Sequence, residues 1–230
     1  KWADINETEG LVTRKGTFNM YVNREPRFYV NIGYHGQYCS FDKSGRNLNF
    51  LNGGNDGKPS HDSPIAGYQF RKAVNPSIEH GVDFPYKPGT LIRLAEMYLN
   101  YSEALTEYNY ESNKVEAQKY LNLIRERAGL PKVKENLTKD EMLEALMKER
   151  RVEFAFEGGM RYMDLRRRKM MGNVLNKEPI KGMNVEGKTN NDFFKVVEIQ
   201  QRVFSDKMYL WPILQTYVDN NPQLIQNKGY

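Results

Sequence analysis

The chain is short of the residues that most often carry chemistry. A single cysteine, Cys39, stands among 230 residues, which excludes an internal disulfide and a cysteine-rich metal site. His35, His61 and His80 are scattered, and their spacings fit no zinc pattern, alone or with Cys39. No histidine is identifiable as a base for Cys39 as a nucleophile. No apolar run approaches the roughly 20 residues needed to cross a bilayer, and no signal peptide begins the chain. Neither sign of charge dominates: 34 basic residues stand against 29 acidic ones, and the balance of +5 is interleaved rather than gathered into a tail. A nucleic-acid binder would show a basic stripe and a recognisable motif, and neither is present. Gly53-Gly54 and Gly158-Gly159 lack the strand-then-helix setting of phosphate and dinucleotide loops.

What the chain does have is helical period. With 39% hydrophobic residues it can bury one good core in one main domain. Residues 1–89 read as loop-rich with short strands, 90–170 as the helical core, and 171–230 as a loop followed by an extended tail. Leu91, Leu94, Ala95, Tyr98, Ser102 and Leu105 share one side of a helix at three-and-four spacing, so that side must be buried. Asn113 is placed to cap a second helix, with Glu116 three residues on. Ala117, Leu121, Ile124 and Ala128 line that helix, and Gly129 and Pro131 stop it. The two predict an antiparallel hairpin. Tyr101, Tyr108, Ala117 and Leu121 fit a tetratricopeptide spacing in part, with no second copy in the chain, so an array would be completed by residues outside it.

Thr138 and Glu141 form a capping box that opens a third helix, expected to run to Glu157. Leu143, Leu146, Met147 and Phe154 give it one apolar face, and Val152, Ala155 and Phe156 a second, so its later half is covered on two sides. Gly158 and Gly159 break it. Met160 to Arg168 reads as a short helix with Met160, Met163 and Leu165 inward and Arg166, Arg167 and Arg168 outward.

Around this core the period changes. Arg27 to Tyr34 alternates, with Phe28, Val30, Ile32 and Tyr34 on one face, which predicts a half-buried strand; Tyr68, Phe70 and Lys72 predict another. Residues 42–64 follow neither period and are rich in Asn, Gly, Ser and Asp, a long loop of the kind that binds ligands or stays disordered beyond about 12–15 residues. Asp42 to Asn47 is not a calcium loop: Arg46 occupies a ligand position, the glycine is misplaced, and Gly53 stands where a glutamate is needed. Residues 173–192 predict a loop or weak hairpin, 206–213 an extended run, and Asn220-Asn221-Pro222 a turn before a tail that packs on the helices.

Glu149, Glu153 and Glu157 form a carboxylate ladder. Glycoside hydrolysis needs two carboxylates on opposite sides of a bond, about 5–9.5 Å apart, and one helix face supplies the distance without the arrangement. Like charges four residues apart repel. The ladder is therefore read as structural, with Arg93, Arg125, Arg150, Arg151 and Arg161 as the available cations. No catalytic set and no cofactor site follows from the sequence.

Three stretches carry a family resemblance: Leu91 to Leu105, Lys148 to Arg166 with its Phe154-Ala155-Phe156-Glu157-Gly158-Gly159 core, and Leu210-Trp211-Pro212-Ile213 through to Tyr230. In this order they resemble the C-terminal half of the SusD/RagB-like nutrient-binding proteins. Asn23 to Tyr29 and Gly67 to Lys72 also look like that family's earlier landmarks. The chain departs from the pattern at Leu214, where a proline is common. The resemblance implies a mainly α fold with short β-hairpins and long loops around a tetratricopeptide-like αα superhelix. It implies a lipoprotein at the outer surface of the outer membrane, with the lipid anchor outside this stretch. Its function would be to capture an oligosaccharide or starch-type polysaccharide and pass it to a SusC-like TonB-dependent transporter. The RagB branch implies a peptide- or protein-binding scaffold as the alternative, and a glycoside hydrolase is the third.

A sugar ring offers an apolar C–H face and a rim of hydroxyls, so its site needs a flat aromatic and fixed hydrogen-bonding groups. The chain has 15 tyrosines, 11 phenylalanines and two tryptophans. In the loop-rich first third, Trp2, Tyr38, Phe50, Asn52 and Asp56 are the candidate ligand-binding residues.

Overall fold

The computed structural model describes residues 17–39, 45–72, 74, 86 and 89–230. In chain order the elements are α1 (Pro26–Asn31), β1 (Ile32–Tyr34), β2 (Tyr68–Phe70), α2 (Leu94–Arg127), α3 (Lys139–Glu153), α4 (Met160–Arg167), α5 (Met171–Leu175), β3 (Ile180–Met183), α6 (Asn190–Phe193), β4 (Val196–Gln200) and α7 (Gln215–Asn220). Among the described residues, no helix is long and apolar enough to cross a membrane.

The helical body forms around a break inside α2. Asn109 leaves helical geometry, with φ −160° and ψ 93°. In a straight helix Tyr98 and Tyr120 would stand about 33 Å apart at 1.5 Å per residue; here their ring centroids are 5.2 Å apart. The Ser102 hydroxyl donates to the Ala117 carbonyl at 2.6 Å. The expected antiparallel hairpin is therefore present, but the cap lies four residues before Asn113. The Asn109 side-chain carbonyl accepts from the Ser112 N–H at 3.3 Å, a local bond that Asn offers the backbone in place of a helical one. Asn113 donates its own amide back to Asn109 O at 2.8 Å.

Thr138 and Glu141 make the capping box that starts α3. The helix stops at Glu153, earlier than the expected Glu157, because Phe156 lies at φ 66°, a left-handed conformation that no helix interior accepts. Ala95, Leu99, Tyr110, Ala117, Leu121, Ile124, Met142, Leu146 and Phe154 pack into one core between the α2 arms and α3. Ala95 and Ser102 face inward as expected, but Leu91 and Leu94 do not: Leu91 is 96% exposed and Leu94 is exposed as well. The buried line of the first arm runs instead through Ala95, Leu99, Ser102 and Thr106.

Beside this body sit two small antiparallel sheets. In the first, Ile32 pairs with Phe70, Gly33 with Gln69, and Tyr34 with Tyr68. The expected strand from Arg27 holds only from Ile32 onward. Pro26 at the first helical position presets its own φ and lacks the N–H that would go unpaired there, so Pro26–Asn31 is helical instead. Phe28 and Asn31, three apart, are buried on that helix, and Val30 faces out at 67%. In the second sheet, β3 and β4 pair from Ile180↔Gln200 to Met183↔Val196 across a bulge, so the loop or weak hairpin expected within 173–192 holds only the first strand and its partner lies beyond that range. Met183 N donates to Ala66 O at 3.1 Å, so the long loop ends against β3. Gly67, at φ 75°, is needed there: a Cβ would collide with Met183.

The last region differs from expectation in two ways. Asp206–Tyr209 is a 3-10 turn where an extended run was expected, and the tail's hydrogen bonds go to the segment before it rather than to the helices. Gln226 both accepts from Ile213 N at 2.9 Å and donates to Ile213 O at 2.8 Å, and Asn227 donates to Trp211 O at 2.6 Å. Amide side chains here do what a strand ladder would otherwise do.

Candidate functional site

The carboxylate ladder is enclosed by cations. Glu149 meets Arg27 at 2.7 Å, close but out of alignment for a hydrogen bond, and Arg125 at 3.0 Å. Glu153, 4% exposed in its side chain, takes Arg27 at 2.8 Å and both Arg93 and Arg127 at 2.5 Å. Glu157 takes Arg93 at 2.8 Å and Lys72 at 2.5 Å. Burial would raise the Glu153 carboxyl, but the Arg127, Arg93 and Arg27 guanidiniums outweigh it and bring it down to about 2. Glu157 is lowered too, burial being opposed by Arg93 and Lys72. A general acid needs the opposite shift.

Of the cations named from sequence, Arg93 and Arg125 serve the ladder. Arg150 turns away to Asp164 at 2.9 Å, and Arg151 and Arg161 make no ion pair with the ladder among the described residues. Arg27, Arg127 and Lys72 were missed, because nothing periodic connects them to α3. Arg166, Arg167 and Arg168 are not simply an outward cluster. Arg167 grips Glu103 at 2.5 Å and Asp164 at 2.8 Å, Arg168 pairs with Glu107, and Arg166 donates to Met208 O and Tyr209 O.

Trp2 is outside the described residues, as are Asp42 and His80. Tyr38 is 37% exposed and bridges antiparallel to Asn47. Phe50 cannot stack on a ligand: it is 1% exposed, packed with Cys39, Leu48, Met183 and Phe193. A large ring in a loop gains more by covering apolar neighbours than by facing water, and here it anchors the loop. Asp56 accepts both Arg46 Nη atoms, at 2.6 and 2.8 Å, and the Asn49 N–H at 2.8 Å. Asn52 donates its N–H to Gly187 O at 2.9 Å and its side-chain amide to Glu186 at 3.3 Å, while Lys58 also pairs with Glu186.

His35 ties these pieces together. Its Nδ1 accepts from Phe50 N at 3.1 Å, so the ring proton sits on Nε2 and donates to Asn190 Oδ1 at 2.9 Å. Burial lowers its basicity, against the Asn190 bond, and favours this neutral form. The arrangement is a loop fixed by ion pairs and backbone bonds, presenting Tyr38 and amide groups on an irregular edge. Sequence reasoning did not identify His35, Arg46 or Glu186. Arg46 was available as a signal, since its charge sits ten residues from Asp56 in a stretch with little else to hold it. Among the described residues, no three of His, Cys, Asp and Glu are grouped to hold a metal ion.

Comparison with known proteins agrees with this geometry. The SusD family model matches residues 4–230. A SusD-like protein from Bacteroides fragilis NCTC 9343 superposes with a TM-score of 0.73 at 31% identity, over 92% of this chain and 40% of that one. A SusD superfamily protein from Bacteroides vulgatus ATCC 8482 gives 0.57 at 21% identity, over 94% of this chain and 40% of that one, which speaks for the fold alone. No curated protein matches the chain in sequence. The chain thus spans about two fifths of the length of the solved structures it matches.

Proposed function

We infer from the SusD family, to which this chain belongs, that it forms part of a cell-surface binding protein that captures a glycan and hands it to a SusC-like TonB-dependent transporter. The reading carries with it an outer-membrane lipoprotein whose anchor lies outside these residues. The family match over residues 4–230 is the observation that carries it. The ladder supports a role without bond cleavage, because its carboxylates are consumed by guanidinium groups. A shallow site built on aromatic stacking and amide hydrogen bonds would use the edge formed by Tyr38, Asn52 and Asp56, with Trp2 as a further aromatic and Phe50 as support from beneath.

Binding to a panel of oligosaccharides and of peptides, measured by calorimetry, tests this. An oligosaccharide is expected to bind, and Tyr38→Ala to weaken it by about 1–2 kcal/mol, the worth of one stacked ring, with little change in melting temperature. Glu153→Gln, wherever it folds, should leave that affinity unchanged. Binding of peptides alone would favour the RagB-type scaffold. Release of reducing ends from a polysaccharide, lost in Glu153→Gln, would replace both with a hydrolase.

A further inference from the structure

His35 joins two segments by using one ring nitrogen as an acceptor and the other as a donor. Phe50 N–H donates to Nδ1 at 3.1 Å, and Nε2 donates to Asn190 Oδ1 at 2.9 Å. Only the neutral ring can do both, because an imidazolium carries a proton on each nitrogen. Protonated in place, the ring would set a second N–H against that of Phe50, two donors 3.1 Å apart with no acceptor between them. Its charge would also lie against the Phe193 and Phe194 rings, whose centroids are 4.9 and 5.8 Å from its own. An asparagine or glutamine amide could bridge a donor and an acceptor at any pH, whereas the imidazole does so only while neutral.

Among the described residues no carboxylate makes an ion pair with this ring. The charged groups of the elements around it are engaged with one another: Asp56 with Arg46 in the loop, Lys58 with Glu186 between the loop and the turn after β3, and Asp192 with Lys195 at α6. Lys188 is exposed ahead of α6, and burial pushes the hydroxyl of Tyr34, next in chain to the ring, up to about 12. Ordinary carboxylates, amines and guanidiniums keep their charge between about pH 5.5 and 8, the range in which an imidazole changes its own. Phe50 is also where the long loop is anchored. Its ring is buried against Met183 and Phe193, and beyond it the loop is held by Asn52 N on Gly187 O at 2.9 Å and by the Lys58–Glu186 pair.

We propose that His35 is a proton-operated latch on this loop: uptake of one proton from solvent at Nδ1 breaks the bond from Phe50 N–H and loosens residues 50–56, which carry Asn52 and Asp56. In the latched form burial lowers the basicity of the ring, against the Asn190 bond. Once the loop moves off, the ring regains water and its ordinary basicity, so the released form binds the proton more tightly and acid favours it. The latch is closed above about pH 6.5 and is drawn open as pH falls below that value. That the loosened edge is a ligand face rests on the function proposed above; the release itself does not.

Hydrogen exchange of the intact protein without ligand, read by mass spectrometry from about pH 8 to about 5.5 and corrected for intrinsic amide rates, tests this. Peptides covering residues 48–56 are expected to lose protection below about pH 6.5, by up to about tenfold per pH unit, the limit for uptake of one proton. Residues 142–147 in the α3 core should hold theirs. His35→Asn keeps a side-chain oxygen for Phe50 N–H without a titrating ring and should flatten the profile. His61→Asn, which removes the exposed imidazole beside Asp62, should leave it unchanged. A flat profile in the unsubstituted protein, an equal loss in 142–147, a fall that survives in His35→Asn or one abolished in His61→Asn overturns the proposal. Because no ligand is present, a failure to bind any glycan would count against the proposed function alone.

Discussion

Glu153 shows how one residue's chemistry is decided by what surrounds it. Its carboxyl, ordinarily near 4.5, is held at about 2 by three guanidiniums despite its burial. The unfolded chain therefore binds the proton more readily than the folded one, and stability falls as pH drops through that interval. Full stability is expected above about pH 4.5, with progressive loss toward pH 2, measured by urea denaturation at a series of pH values. Glu153→Gln should remove most of that acid slope and cost about 3–5 kcal/mol at neutral pH, since it leaves buried cations without their partner. An unchanged slope in the variant would assign the acid sensitivity to other carboxylates.

At the scale of elements, the decisive feature is the turn inside α2. Residues 94–127 have no proline or glycine to stop a helix, and only the Asn109 side chain, accepting from Ser112 N, marks where the two arms part. Asn109→Ala removes that acceptor and is expected to cost about 1 kcal/mol, the usual worth of an N-cap, with the loss concentrated in the hairpin. Asn113→Ala, at the position the sequence suggested, should cost less, because the N–H groups capped at Asn109 keep their partner. Chemical denaturation of the two variants side by side checks the order. Pro26 is the matching case in the β-part: the alternation from Phe28 to Tyr34 predicted a strand, and a single preset φ diverted its first half into a helix.

Across the whole molecule, the ladder joins parts that are far apart in sequence. Arg27 on α1, Lys72 after β2, Arg93 before α2, and Arg125 and Arg127 near its end all converge on α3. The network holds the loop-bearing region on the helical body, and being largely buried it is little screened by salt. Arg27→Ala should release that connection: amide exchange of residues 26–34 is expected to quicken, while that of 142–147 in the α3 core changes much less. Uniform acceleration through both segments would mean that the arginine contributes to global stability rather than to the join.

Helix periodicity was legible in the residues themselves. So were the Thr138 capping box, the hairpin and the family resemblance, because each rests on contacts within a few turns of chain or on a local motif, whereas the end of α3 came at Glu153, before the glycines expected to break it. The structural reading of Glu149, Glu153 and Glu157 was legible for the same reason, since like charges on one face demand cations. Which cations answer that demand was decided only when α1, β2 and both ends of α2 met around α3. The inward position of Phe50 and the bridging role of His35 were decided in the same way, by β3, α6 and the long loop coming together. Sequence pattern reports a residue's neighbours along the chain, whereas burial and charge pairing depend on neighbours in space.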